Sequence, residues 1–223
     1  FTPVLDINFG TSSVIGDRSF HQHAKPIVDL ASSVMDGLSS GGMKSVGKHF
    51  PGHGFIKADT HLESANDDRS LEKIQEKDMN IFKEMIKKNI AGVMPSHVIY
   101  SSCDQKPAGF SKFWLEGQLR KILNFEGAIF SDDMGMMAAQ IYEKDLVSRV
   151  RKCLEAGCDM VLVCNQGDNV DKVLNKLLWK QDSISKERLS NMRRDYLKNN
   201  EGDSSQLNFC YEGAKKAIKE LKK

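Results

Sequence analysis

Five short apolar runs, residues 3–7, 44–48, 91–95, 127–131 and 160–164, alternate along the chain with longer segments of helical period. Short strands separated by amphipathic helices leave few architectures open, because each strand must pair and each helical stripe must be covered. Ile27, Leu30, Ala31, Val34, Met35 and Leu38 recur at i, i+3, i+4 and i+7, as do Leu71, Ile74, Ile81, Phe82, Met85 and Ile86. These stripes read as core. Ser111 is placed to cap a helix through Trp114, Leu115, Leu119 and Ile122, the helical segment 146–154 stops at Gly157, and a further helix is expected over 171–179.

Successive βα units predict a parallel sheet, either open and doubly wound or closed into a barrel. His49, His97, Asp132 and Asn165 follow the ends of four successive strands, where a (β/α)8 barrel assembles its site. An open sheet would concentrate such residues at one switch point. The expected fold is therefore α/β, a (β/α)8 TIM-type barrel. Eight such units need about 250 residues. Five units and a polar tail already use this chain of 223, which opens Phe1-Thr2-Pro3 with no initiator Met. About three N-terminal units are thus expected to be absent. Residues 1–181 would be the C-terminal part of the barrel, and residues 182–223 a helical extension that includes Leu189, Met192 and Tyr196, a polar stretch at 199–206 and a lysine-rich end.

Thirty-two basic residues nearly balance thirty acidic ones, giving a net charge of +2 with no segregated basic field, so no nucleic-acid partner is expected. The longest apolar runs are far too short to span a bilayer and no signal segment opens the chain, so no membrane association is expected and the compartment reads as cytoplasmic. Cys103, Cys153, Cys158, Cys164 and Cys210 are odd in number and lack zinc or redox spacing. They read as reduced thiols, with Cys153, Cys158 and Cys164 in the core.

Chemistry concentrates in Lys48-His49-Phe50-Pro51-Gly52-His53-Gly54, followed by Asp59-Thr60-His61. Three of six histidines fall in a stretch broken by proline and glycine, with Asp59 near enough to orient an imidazole. That composition suits proton transfer. The motif resembles the signature of the bacterial β-N-acetylglucosaminidases of glycoside hydrolase family 3, the peptidoglycan-recycling type. Pro3-Val4-Leu5-Asp6, Gly16-Asp17-Arg18-Ser19-Phe20, Met94-Pro95-Ser96-His97, Phe130-Ser131-Asp132-Asp133-Met134 and Ala156-Gly157-Cys158-Asp159-Met160 extend the resemblance to about Asn165.

The resemblance implies a (β/α)8 barrel and retaining hydrolysis of a terminal β-linked N-acetylglucosamine. Asp132 matches the family's nucleophile, with Asp133 the competitor, since neighbouring side chains of a regular strand face opposite ways. His61 matches the general acid/base and Asp59 its dyad partner. Arg18, Lys48 and His49 match the positions that hold the sugar's hydroxyls. The substrate class implied is a muropeptide, N-acetylglucosamine β-1,4-linked to anhydro-N-acetylmuramic acid, with no cofactor, and with a monomer expected at full length. His53 and His97 read as loop-shaping and buried strand-end residues, and His21 and His23 as exposed. Two other readings use the same residues: a metal-dependent barrel hydrolase with His49, His53, His61 and Asp132 around zinc, and a non-catalytic carbohydrate-binding relative.

Overall fold

The computed structural model describes residues 1–193, 211–213, 215–216 and 219–220. One compact unit is Phe1–Arg193; in the other, Arg194–Lys223, the described residues are helical. Tyr196, the stretch 199–206 and Cys210 lie outside the described residues. The first unit runs past residue 181, where the sequence suggested a division.

In chain order the elements are α1 (Ala24–Ser40), β1 (Val46–Phe50), β2 (Ala65–Asp67), α2 (Leu71–Ile74), a π-turn (Gln75–Met79), α3 (Asn80–Lys87), β3 (Gly92–Pro95) and β4 (Val98–Tyr100). There follow a π-helix (Phe113–Ile122), β5 (Ala128–Asp133), α4 (Met137–Tyr142), α5 (Leu146–Ala156), β6 (Met160–Leu162), α6 (Gly167–Lys176) and α7 (Ser183–Asn191). The main sheet has the order β1-β3-β5-β6 with every pair parallel. Residues 2–5 run beside β1, with Leu5 N–H donating to the Lys48 carbonyl at 2.6 Å and Lys48 N–H to the Pro3 carbonyl at 3.1 Å. Five parallel segments in sequential order, joined by helices, form part of a (β/α)8 barrel, as expected.

Both faces of the sheet are covered, as parallel sheets require. One side packs on the helices through a core that includes Phe50, Phe82 and Trp114, whose rings meet edge to face at 5.2 and 6.2 Å from Phe50. On the other, Val46, Met94, Ala128 and Phe130 pack with Leu162 and with Leu189 and Met192 of the α7 segment. This helix starts at Asp182, whose carboxylate accepts from Ser185 N–H at 2.7 Å, and is pinned by Arg188 to Asp159 at 3.3 Å.

Several boundaries differ from the sequence reading. β1 begins two residues later and runs through His49, and β5 continues through Asp132 to Asp133, so these side chains belong to strand ends rather than to the loops beyond. Only Ile27 and Ala31 of the α1 stripe are buried, and Leu30 is exposed, because that helix leans on α3 through a narrow contact. Ile122 is likewise exposed at the end of its helix. Helix α6 starts and ends earlier than expected, leaving Trp179 outside it, and Cys164 is exposed because β6 stops at Leu162. The small parallel pair β2 and β4 was missed, being only three residues a strand. Gly157, at φ 118°, ends α5 as expected.

Candidate active site

Asp6, at the end of the segment beside β1, is 1% exposed and accepts from three groups. The backbone N–H of His49 donates to its carboxylate at 3.2 Å, that of His53 at 2.8 Å, and His49 Nδ1 lies 2.7 Å from Oδ2. Burial pushes the Asp6 carboxyl upward, but the charge and hydrogen bond of His49, together with His53, outweigh it and hold it below 3.8. With Nδ1 turned to Asp6, His49 presents Nε2 to Asp132, at 4.0 Å from Oδ2.

Asp132 is partly buried on β5. Burial again raises its carboxyl, but the charges of His49 and His97, the N–H of Asp133 at 2.8 Å and the charge of Lys48 leave it below its ordinary value, and so ionised at neutral pH. Asp133 turns elsewhere: its Oδ1 accepts from Gly135 N–H and Cys164 N–H, both at 2.9 Å, tying the end of β5 to the segment after β6. The pairing of β5 with β6 slips between Phe130 and Asp133, which breaks the alternation of a regular strand at this point.

A similar slip in β1, between Lys48 and Phe50, flanks His49, whose ring lies between Asp6 and Asp132. Lys48 feels the charges of Asp132 and Asp6, which favour its ammonium form. Burial, and then the neighbouring charge of Arg18, oppose them and lower it overall. Arg18 is exposed on a single turn, Gly16–Arg18, with Nη1 donating to the Val14 carbonyl at 3.2 Å. Arg18, Lys48, His49 and Asp132 thus share one neighbourhood.

The loop after β1 carries the other predicted pair. Gly54 lets it cross the preceding segment, since a Cβ there would stand 1.8 Å from the Ile7 carbonyl oxygen. His61 is exposed, and its Nδ1 and backbone N–H both lie 2.8 Å from Asp59 Oδ1. Burial raises Asp59, while the hydrogen bonds and charge of His61 together outweigh it and bring the carboxyl below its usual value. Among the described residues, no hydrogen bond or ion pair joins this dyad to Asp132. His53 and His97 are both buried: His97 Nε2 meets the Asp133 carbonyl at 3.1 Å and its ring stacks on Phe110, while His53 Nε2 meets Thr60 Oγ1 at 3.1 Å. His21 and His23 are exposed. Among the described residues, no group of three or more His, Cys, Asp or Glu side chains is placed to hold one metal ion, so the zinc set considered above is not assembled.

Residues 1–194 match the model of the glycosyl hydrolase family 3 N terminal domain. The chain belongs to glycosyl hydrolase family 3. It is 48% identical to the β-hexosaminidase of Nitrosomonas eutropha over 193 residues, which is 86% of this chain and 55% of that protein. A β-hexosaminidase of Neisseria gonorrhoeae is 49% identical over 173 residues, 78% of this chain and 48% of its own length. Native NagZ from Neisseria gonorrhoeae superposes with a TM-score of 0.80 at 43% identity, covering 87% of this chain and 55% of that one. The chain therefore spans about half the length of the curated relatives it matches.

In this family 3 domain, two residues at the core of the site escaped the sequence reading. Asp6 lies inside the 3–7 run, and an acidic residue in an apolar strand is the one local signal that marks it. Thr60 stands between two more exposed neighbours, and nothing local marks it as buried.

Proposed function

We propose that this chain is the C-terminal portion of the catalytic barrel of a retaining β-N-acetylhexosaminidase, with Asp132 as nucleophile and His61 as general acid/base. The observation that carries the reading is an ionised Asp132 at a barrel strand end, facing His49, with a separate Asp59–His61 dyad on the loop that follows β1. Asp132 attacks the anomeric carbon while His61 Nε2–H protonates the glycosidic oxygen. The aglycone leaves and the sugar is held as an ester on Asp132. His61, now without that proton, takes one from water as the water attacks the same carbon and frees Asp132, which restores the starting form of His61. Nδ1 bound to Asp59 leaves Nε2 for this work, and Asp59 fixes the orientation of the ring.

Asp59 and His61 are both accessible on the loop after β1, and this loop presents His61 to the glycosidic oxygen of the bound sugar. Arg18, Lys48 and His49 donate to sugar hydroxyls, and the charges of Arg18 and Lys48 strengthen their bonds. The substrate is a cytoplasmic muropeptide ending in β-linked N-acetylglucosamine, cleaved during peptidoglycan recycling by a protein that acts as a monomer at full length and needs no cofactor.

The test is intact mass after incubation with a 2-acetamido-2-deoxy-5-fluoroglycosyl fluoride, on this chain and on a version extended at its N-terminus. A one-sugar adduct mapping to Asp132 supports the reading. If neither form is labelled nor cleaves a chromogenic β-N-acetylglucosaminide, the assignment fails.

A further inference from the structure

Thr60 separates the two members of the dyad, yet it is 1% exposed, whereas the side chain of Asp59 is 31% and that of His61 57% exposed. It is held from two directions. Its hydroxyl meets His53 Nε2 at 3.1 Å, and its carbonyl accepts from Ala138 N–H of α4 at 3.1 Å. Helix α4 begins four residues after Asp133, and His53 is fixed through its backbone N–H to Asp6, which also holds the imidazole that faces Asp132. A continuous series of contacts thus runs from Asp132 through His49, Asp6, His53 and Thr60 to the loop bearing Asp59 and His61, although the two ends do not touch.

The His53 ring suits a fixed link. Burial, and then the nearby charge of His49, keep its imidazole below the ordinary value, so it is neutral at physiological pH, and Nδ1 has no partner among the described residues. Nε2 is then the polar handle of a buried ring, and Thr60 Oγ1 is what it holds. A threonine pinned at both its hydroxyl and its carbonyl acts as a pivot: the exposed neighbours on either side can swing, but about a point whose distance from β5 is set.

We propose that Thr60 is a positioning residue for acid/base catalysis, holding the Asp59–His61 dyad in register with Asp132 through its bonds to His53 and Ala138. This rests on the reading under Proposed function, from which its test can be told apart. Thr60→Val removes the hydroxyl at nearly constant shape, and Thr60→Ser keeps it.

The full 223-residue chain is assayed for kcat/KM on N,N'-diacetylchitobiose, whose leaving group needs a proton, and on a 2,4-dinitrophenyl N-acetyl-β-glucosaminide, whose leaving group does not. Hydrogen exchange of residues 54–64 is measured in parallel. Thr60→Val should lower kcat/KM on the disaccharide by about 10² while leaving the dinitrophenyl substrate within about threefold, since general acid catalysis contributes on the order of 10²–10⁴. Thr60→Ser should restore the disaccharide rate, and exchange of the loop should rise in Thr60→Val with β1, β3 and β5 unchanged. Equal losses on both substrates, no loss on either, or unaltered loop exchange would each overturn the proposal. If the unmodified chain cleaves neither substrate, the rates are taken on the N-terminally extended version; inactivity of both forms sinks the functional reading, and the exchange comparison still decides whether Thr60 tethers the loop.

Discussion

The carboxylate of Asp6 lies 2.7 Å from Nδ1 of His49 and also receives the backbone N–H groups of His49 and His53, so one buried side chain fixes both the strand end and the loop beyond it. Asp6→Asn removes the charge from a buried pair, a change that costs about 3–5 kcal/mol when the partner is left uncompensated. Because the folded-state value of Asp6 is depressed, its contribution is present above 3.8 and is lost as pH falls through the lowered value. Thermal melts by circular dichroism should show a lower Tm for the variant at pH 7 and a smaller loss of Tm on acidification. A variant that melts with the parent's acid slope would contradict this role.

Asp132 and Asp133 should separate cleanly by substitution. On the proposed mechanism Asp132→Asn removes the attacking oxygen, and it should reduce turnover at least about 10³-fold, as removal of a nucleophile does elsewhere. Asp133→Asn keeps an Oδ1 that can accept from Gly135 and Cys164, and should retain activity within about tenfold. Rates on a chromogenic β-N-acetylglucosaminide check the contrast. The reverse order would make Asp133 the nucleophile.

Arg69 is shared by two buried carboxylates: Asp67 binds Nε and Nη2, while Asp78 receives Nη1 at 2.8 Å. One cation cannot fully compensate both. Burial pushes Asp78 up to about 6 even though Arg69 opposes the shift. With the folded value above the ordinary 3.8, this group's contribution is complete below pH 3.8 and is lost as pH rises through 6, on the order of 3 kcal/mol over the window. Asp78→Asn should therefore be less destabilising at pH 8 than at pH 5, because Asp67 still balances Arg69. Urea midpoints at the two pH values test the sign.

At the other end of the sheet, Asp159 binds Arg120 at 2.8 Å, Arg188 at 3.3 Å and the N–H of Ile129 at 2.8 Å. Asp159→Ala leaves Arg120 poorly compensated and should cost about 3–5 kcal/mol. Arg188→Ala removes a partly exposed partner and should cost about 1 kcal/mol or less. Equal losses in urea unfolding would mean that the anchoring of α7 outweighs the burial of Arg120.

Much of the fold was legible because its signals are local. Gly157 stops α5 by its backbone freedom, and Ile81, Phe82 and Met85 fall on one face of α3 through the 3.6-residue period. Less was legible where length or neighbours intervene. β2 and β4 are too short to show alternation, and the burial of Leu30 and Ile122 depends on what packs beside them rather than on their spacing.

The sequence by itself determined the succession of parallel strands and helices, the family motif, and the residue types from which a site could be made, since each is written in period, spacing and identity. Only the tertiary structure decided that His49 lies between Asp6 and Asp132, that Asp133 is engaged in a turn, and that Asp6 and Thr60 join β1 and the dyad loop to the end of β5. Where a strand's side chains point depends on its register with its neighbours, and in both β1 and β5 that register slips at the site itself. Such a slip is a property of pairing between segments distant in the chain, which no local pattern records.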